Sequence, residues 1–398
     1  MKNVLFVDDE TQILEGLRRM LRGQRTEWNM TFVESGEEAL RVMAETHFDT
    51  LVSDMRMPGM DGAELLMRAQ EAHPGTVRII LSGHSELEAA MRAVPVAHQF
   101  LSKPCHSDQL REVITRACNL QSIIGRPELQ DIVGRIETLP SLPRIYNQLV
   151  CTLANPDSGI SDVSEIVEQD SGITAKILQL VNSSFFGISR DITDIRQATT
   201  YLGMNTVRDL ALSAEVFSSF EGVQLARGYS MEQEHEHSKL CARLARKLLS
   251  DKIGCEQAFL AAMLHDLGKL ILACNLPDEY SRVLASHRDQ GGALDELEER
   301  ELGATHAEVG AYLLGLWGMP YPIVEAVANH HCPARVEHTK FDVLGAVYVA
   351  NALVEESSGH STDPLNEAYL ESLGVLGELP GWRELAAAAS DSDEARAA

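Results

Sequence analysis

The sequence predicts an α/β half followed by an all-α half, and three observations carry that expectation. Short apolar runs alternate with helical patterns over the first 120 residues. After Asn119 the strand pattern stops. From about residue 144 onward only helical periodicity is found. Five βα units in succession imply a doubly wound, five-stranded parallel sheet, and chains of this kind gather their ligand chemistry at the carboxyl ends of the strands.

The strands are expected at Asn3–Val7, Thr31–Val33, Thr50–Ser53, Val77–Ser82 and Val96–Ser102, with helices near 11–22, 36–46, 61–73, 85–93 and 107–120. Leu120–Glu137, which contains Gly125, Pro127 and Gly134, reads as a connecting helix or linker. Leu139-Pro140-Ser141-Leu142-Pro143 then punctuates a new start. Beyond it, helices are expected near 144–154, 162–169, 172–183, 194–200, 205–218, 232–249, 256–264, 306–317, 322–331 and 343–355. Ala386–Ala398, with Asp391, Asp393 and Glu394, should be a frayed acidic end.

Composition narrows the function classes. The 398 residues are 44% hydrophobic and 23% charged, an ordinary globular balance. Acidic residues outnumber basic ones 59 to 34, for a net charge of −25. Through residue 122 there are 13 Lys/Arg and 18 Asp/Glu, which leaves −5 there and −20 beyond. Such a surface disfavours nucleic acid and anionic membrane as partners, and no helix beyond residue 140 presents a basic face. The N-terminal apolar run is too short for a signal peptide, and no apolar stretch reaches the ~20 residues that span a bilayer. Seven cysteines (105, 118, 151, 241, 255, 274, 332) are scattered without CxxC pairs, as in reduced, cytoplasmic proteins.

The strand ends of the first half carry a coherent chemistry. Strand one ends in Asp8-Asp9, strand three in Asp54, strand four in Ser82 and strand five in Lys103-Pro104. Converging carboxylates repel one another unless a cation offsets them, and oxygen-only ligation suits Mg²⁺. Lys103 adds a fixed positive charge opposite, so the crevice is suited to a phosphoryl group, with Asp54 as the nucleophile. The pieces FVDDE, LVSDMRMPGMDG, ILSG and FLSKP give residues 1–120 a close resemblance to the response-regulator receiver domain, which sets the first domain at residues 1–122. That resemblance implies Mg²⁺ held by Asp8, Asp9 and Asp54, and phosphorylation of Asp54 by a sensor histidine kinase. It also implies phosphoryl contacts from Ser82 and Lys103, and Phe100 as the switch aromatic.

In the helical half, histidines recur on apolar helix faces. His237 leads Cys241, Leu244 and Leu248; His265-Asp266 closes an apolar helix; His306 leads Val309, Leu313 and Leu316; His330 extends the stripe Ile323–Val327, with His331 adjacent. Any one such residue is usually a satisfied core histidine, but several together with a carboxylate fit a site for Fe, Mn, Zn or Ni. The helix Val343–Glu355 turns Asn351 inward where a second carboxylate is missing, and Gln233, one turn before His237, is also uncharged.

The segments LPSLPRIYNQL, EQDSGITAKILQLVNSSFFG, AAMLHDLGKL and THAEVGAYLLGLWGMPYPIVEAVANHH resemble the HDOD family, the HD-related output domain akin to HD-GYP phosphohydrolases. The resemblance implies a helical domain over 139–385, with an N-terminal bundle (139–229) and an HD-like bundle (230–385), joined to the receiver by 123–138. His237, His265, Asp266, His306, His330 and His331 stand where an HD-GYP enzyme keeps metal ligands, and Lys269 where such enzymes meet substrate phosphate. Asn351 and the missing GYP run depart from that pattern. HDOD domains are regarded as signalling modules without demonstrated hydrolase activity. The expected function is therefore a response regulator whose phosphorylation at Asp54 controls a non-catalytic output acting through a partner protein. The alternative is a phosphorylation-gated, metal-dependent phosphohydrolase acting on a cyclic dinucleotide or other nucleotide. A homodimer through the face around the 85–93 helix and fifth strand, or through the connecting helix, is compatible with the sequence, but no motif fixes it.

Overall fold

The strands β1 (Lys2–Val7), β2 (Trp28–Val33), β3 (Thr50–Asp54), β4 (Val77–Gly83) and β5 (Gln99–Lys103) form one parallel sheet in the order β2-β1-β3-β4-β5. The computed structural model describes the chain except for residues 84–92, 94–95, 104, 106, 121–126, 135, 137–147, 150–151, 154–157, 183–191, 213–223, 358–364 and 398. Val4, Leu5 and Phe6 of β1 and Leu51 and Val52 of β3 are fully buried, as strands covered on both faces must be. Helices α1 (Thr11–Met20), α2 (Gly36–Glu45), α3 (Gly62–Ala72) and α4 (Ser107–Leu120) accompany the sheet. The expected helix at 85–93 lies outside the described residues except for Ala93.

Some boundaries differ from the expectation. The first helix gives way after Met20 to a 3-10 turn at Arg22–Thr26, and β2 starts three residues early, at Trp28, whose ring is buried. Residues 96–98 precede β5 rather than belonging to it.

Among the described residues beyond the sheet the regular elements are helical: α5 (Pro127–Gly134), α6 (Ile160–Val167), α7 (Ser171–Asn182), α8 (Ile195–Leu212, interrupted at Gly203), α9 (Met231–Leu248) and α10 (Lys252–Leu264). Then follow α11 (Leu267–Asn275), α12 (Pro277–Gln290), α13 (Leu294–Leu302), α14 (His306–Leu316), α15 (Tyr321–Asn329), α16 (Val343–Ser357), α17 (Glu367–Ser372) and α18 (Leu379–Ala397). Segment 139–143 and most of the expected 144–154 helix lie outside the described residues. Helix α18 extends into the acidic end as far as Ala397, consistent with the high helix propensity of its alanines, and Ala386 is buried. One segment, Lys252–Asn275, has the length and mean hydropathy of a membrane span, but Lys252, Glu256, Asp266 and Lys269 interrupt it, so the expectation of no uninterrupted apolar stretch of that length stands. Most of it is buried within the fold, and it carries His265 and Asp266 near its centre.

The two halves share a buried polar seam at the amino-terminal edge of β4 and β5. The Arg78 guanidinium donates to Val96 O (2.7 Å), to Pro74 O and Thr76 O (both 3.2 Å), and across to Gly134 O of α5 (2.6 Å). Gln179 of α7 donates to Ala97 O and His98 O at 3.3 Å. Lys176 lies 4.5 Å over the Trp317 ring just beyond α14. Arg78, His98, Lys176 and Gln179 are all buried. Such groups are costly to bury unless partnered, so this seam specifies one arrangement of the halves.

Candidate functional site

Two sites emerge, one in each half. In the first, β1 and β3 deliver Asp8 and Asp54 to the same edge of the sheet, and both are buried. Lys103, at the end of β5, pairs with Asp8 Oδ2 at 2.8 Å and with Asp54 Oδ1 at still closer range. Backbone N–H groups of Glu10 and Arg56 donate to Asp8 Oδ1 (2.9 Å) and Asp54 Oδ2 (3.0 Å), fixing both carboxylates. Burial pushes the Asp54 carboxyl up and the nearby Asp8 adds to this, while Lys103 pulls it down. The loop after β3 fits because residue 62 is glycine: a Cβ there would lie 2.2 Å from Asp54 O. Ser82 is buried on β4, Phe100 is buried on β5, and Asp9 is exposed at the rim. The oxygen donors and the countercharge fit a hard divalent cation and a phosphoryl group.

The second site is built where the ends and faces of six helices meet. Asp251 caps α10 by accepting from Gly254 N–H, and the helix ends at His265 and Asp266, which lead into α11 and Lys269. Thr305 and Glu308 form a capping box that starts α14 at His306. His330 and His331 follow α15, while α9 supplies His237 and Cys241 and α16 supplies Asn351. Residue 268 must be glycine for α11 to approach α14, since a Cβ would sit 1.9 Å from His306 O.

Asp266 is the hub. Its Oδ2 faces His265 Nε2 (3.1 Å), His237 Nε2 (3.7 Å) and Lys269 Nζ (2.8 Å). Its Oδ1 faces His306 Nε2 (3.3 Å) and His330 Nε2 (3.7 Å). His331 Nε2 and His306 Nε2 lie 2.9 Å apart. All six sequence-predicted residues are therefore brought together, in two groups on either side of one carboxylate. His265 Nδ1 donates to Ala262 O and His330 Nδ1 to Val327 O, which turns both Nε2 atoms inward toward Asp266. His265 Nε2, His330 Nε2 and Asp266 Oδ1 are buried without a hydrogen-bond partner. Orphaned buried acceptors that converge on one point are the arrangement a metal ion satisfies, so the donor set fits a transition metal.

Electrostatics separate the histidines. Burial holds His237 down at about 4 and pushes His330 and His331 well below the usual range. Burial also opposes charge on His306, but Glu298 and Asp266 outweigh it and raise His306 to about 9. Burial alone would raise Asp266; His265 and Lys269 instead hold it well below the usual carboxylate range.

Three carboxylates around this site escape a reading by motif. Glu298 of α13, fully buried, accepts from His306 N–H (2.7 Å), His306 Nδ1 (2.6 Å) and Tyr280 OH (2.9 Å). Glu234 lies 3.4 Å from Lys269, and Glu355 accepts from Asn351 Nδ2 at 3.2 Å. Burial raises both Glu234 and Glu355. A signal for Glu298 exists in the sequence: it lies four residues from both Leu294 and Leu302, on the inward stripe of α13.

Residues 4–115 match the response regulator receiver domain family, and residues 139–333 match the HDOD domain family. The chain joins a receiver domain to an HDOD domain. An uncharacterized protein of Treponema pallidum is 23% identical over 230 residues, covering 58% of this chain and 45% of that protein. The DNA-binding transcriptional regulator NtrC of Escherichia coli is 33% identical over 168 residues, covering 39% of this chain and 35% of NtrC. The match thus spans less than half the length of either curated relative. Among solved structures, the MmoQ response regulator of Methylococcus capsulatus aligns with TM-score 0.49 at 23% identity, covering 61% of this chain and 97% of that one. An HDOD domain protein of Geobacter sulfurreducens aligns with TM-score 0.38 at 22% identity, covering 72% and 96%. A receiver domain implies in general a histidine kinase that phosphorylates it.

Proposed function

We propose that this chain is a phosphorylation-controlled signalling protein whose HDOD domain acts by binding a partner protein. The observation that carries this reading is the buried seam between the domains, where Arg78 of β4 binds α5 and the carbonyls of Ala97 and His98, just before β5, are bound by Gln179 of α7. Asp54 attacks the phosphorus of a phosphohistidine on a sensor kinase, the imidazole leaves, and an acyl phosphate forms on β3. Asp8, Asp9 and Asp54 would hold Mg²⁺, which would supply charge neutralisation for the transferred group. Lys103 offsets the remaining charge, and Ser82 and Phe100 respond to the phosphoryl group. Phe100 pairs with Ile80 in the sheet and directly follows Gln99, which lies against Gly318 beyond α14. A displacement at the phosphorylation site thus has a short path to the seam.

Burial of the histidine centre supports a role in folding or sensing rather than turnover. His265 and His306 are fully buried, and the adjoining cavity, lined by Asp170, Tyr229, Glu234 and Asp266 among others, has a volume of about 30 Å³, room for a water. One observation favours a second reading, a metal-dependent phosphohydrolase: two imidazole groups bridged by Asp266, with Lys269 beside them. The bound metal would supply Lewis acidity there, and Lys269 would orient an anionic oxygen.

The test is metal content after anaerobic purification, followed by incubation with cyclic dinucleotides, with and without a small phosphodonor. We expect phosphorylation that is lost in Asp54→Asn and no cleavage of the dinucleotides. Turnover that depends on phosphorylation and disappears in His265→Ala would overturn the first reading in favour of the second.

A further inference from the structure

The metal-binding reading leaves one imbalance. Asn351 faces His237 Nε2 through Oδ1 at 2.8 Å but contributes no charge, so position 351 adds nothing to the Asp266 carboxylate in offsetting the cost of stripping water from a divalent cation. Cys241 lies one helical turn after His237 on α9 and is fully buried. Its Sγ is 3.5 Å from His237 Nε2 and 3.9 Å from Asn351 Oδ1. The candidate ligand atoms of His237, Cys241 and His265 all lie within 4.8 Å of one another. The second, independent observation is His265 Nε2, buried without a hydrogen-bond partner and facing the same point.

We propose that Cys241 is a thiolate ligand of this centre, supplying the anionic donor that position 351 lacks. The inference rests on the reading of the histidine cluster as a metal site. The group offers two nitrogens and one sulfur, three of the four donors of a tetrahedral zinc site, and Asp266 Oδ2 lies 3.1 Å from His265 Nε2 at its edge. Asn351 and Cys241 then form a matched pair. A carboxylate at 351 would set a second anion against the sulfur, whereas the neutral amide tolerates it. On binding, the thiol proton passes to solvent, the sulfur–metal bond forms, and the metal gives up one coordinated water, so charge and atoms balance. A sulfur donor biases the site toward borderline-soft Zn²⁺ or Co²⁺ over Mg²⁺ or Mn²⁺. The group formed by His306, His330 and His331 has no sulfur and keeps its imidazole character.

The experiment uses the full chain, stripped with chelator and loaded anaerobically with Co²⁺ alone. Bound cobalt is counted and the near-ultraviolet absorption recorded. We expect a sulfur-to-cobalt charge-transfer band in the native chain. In Cys241→Ser we expect that band to vanish, cobalt to remain on the all-imidazole group, and preference for Zn²⁺ over Mn²⁺ to fall about tenfold or more. Stoichiometric cobalt without the band in the native chain would overturn the role of Cys241 and leave the metal centre standing. A band that persists in Cys241→Ser would assign the sulfur elsewhere and also overturn it. No bound cobalt would defeat both this inference and the metal reading beneath it. Should Cys241→Ser fail to fold, the native spectrum decides by the presence or absence of the band.

Discussion

Replacing Glu298 by glutamine probes how the centre is supported without touching any proposed ligand. Glu298 Oε2 takes both donors of His306, the backbone N–H at 2.7 Å and Nδ1 at 2.6 Å, and Oε1 takes Tyr280 OH at 2.9 Å. Glutamine has the same shape. Its carbonyl oxygen can keep the His306 contacts and its NH₂ can face the tyrosine oxygen, so the fold should survive. What disappears is the negative charge, and a charge-assisted bond is roughly twice as strong as a neutral one. Removing such a partner from a metal-bound histidine typically costs about 10–100-fold in metal affinity. That range corresponds to about 1.4–2.8 kcal/mol. Chelator competition with Zn²⁺ on the full chain measures it, with the unfolding midpoint of the metal-free protein as the control for folding. A change below about threefold in a folded variant would refute the idea that Glu298 holds His306 for a metal.

Other expectations follow from the same geometry. Lys103→Met should slow phosphorylation from a small phosphodonor by about tenfold or more, because it removes the cation shared by Asp8 and Asp54; labelled-phosphate incorporation reads this directly. Arg78→Met should lower stability by about 3 kcal/mol in urea titration, since the carbonyls of Val96 and Gly134 lose a charged donor in a buried seam. Acidification should destabilise the metal-free protein as pH falls below about 6.5. His98, His237, His330 and His331 are held neutral when folded, by burial first, and gain protons on unfolding, so the unfolded state binds more protons in that window. His306 acts in the opposite sense. Its folded value of about 9 adds stability that is complete below about 6.5 and lost as pH rises through 9; thermal melts from pH 5 to 10 should show both limbs, and Glu298→Gln should flatten the alkaline one.

The receiver was legible because its chemistry sits at strand ends that alternation alone locates. Asp8, Asp54, Ser82 and Lys103 fall at one edge of the sheet once the strands are placed. The histidine cluster was legible through three- and four-residue spacing on apolar helices, which placed each member on an inward face. Glu298 was hidden by its neighbours: Glu296, Glu299 and Glu301 make α13 read as a solvated acidic helix, although Glu298 shares the buried stripe of Leu297 and Leu302. Helices α12 and α13 escaped the periodicity reading for the same reason, since only Tyr280 and Val283 of α12 are buried. Cys241 was visible as a buried residue of α9, but its nearness to Asn351 depends on how α9 packs on α16. The seam was the least legible feature. Arg78 lies in a strand whose pattern says only that it is extended, and its partner Gly134 is 56 residues away.

Control of the HDOD domain by the receiver is the central claim, and hydrogen exchange on the full chain tests it most directly. The chain would be compared with and without a phosphoryl mimic, with Asp54→Asn as the control. Exchange is expected to change in the receiver and also in α5, α7 and α14, which meet it through Gly134, Gln179 and, just beyond α14, Gly318 against Gln99. A response confined to the receiver, with α5, α7 and α14 unaltered, would contradict control through the seam.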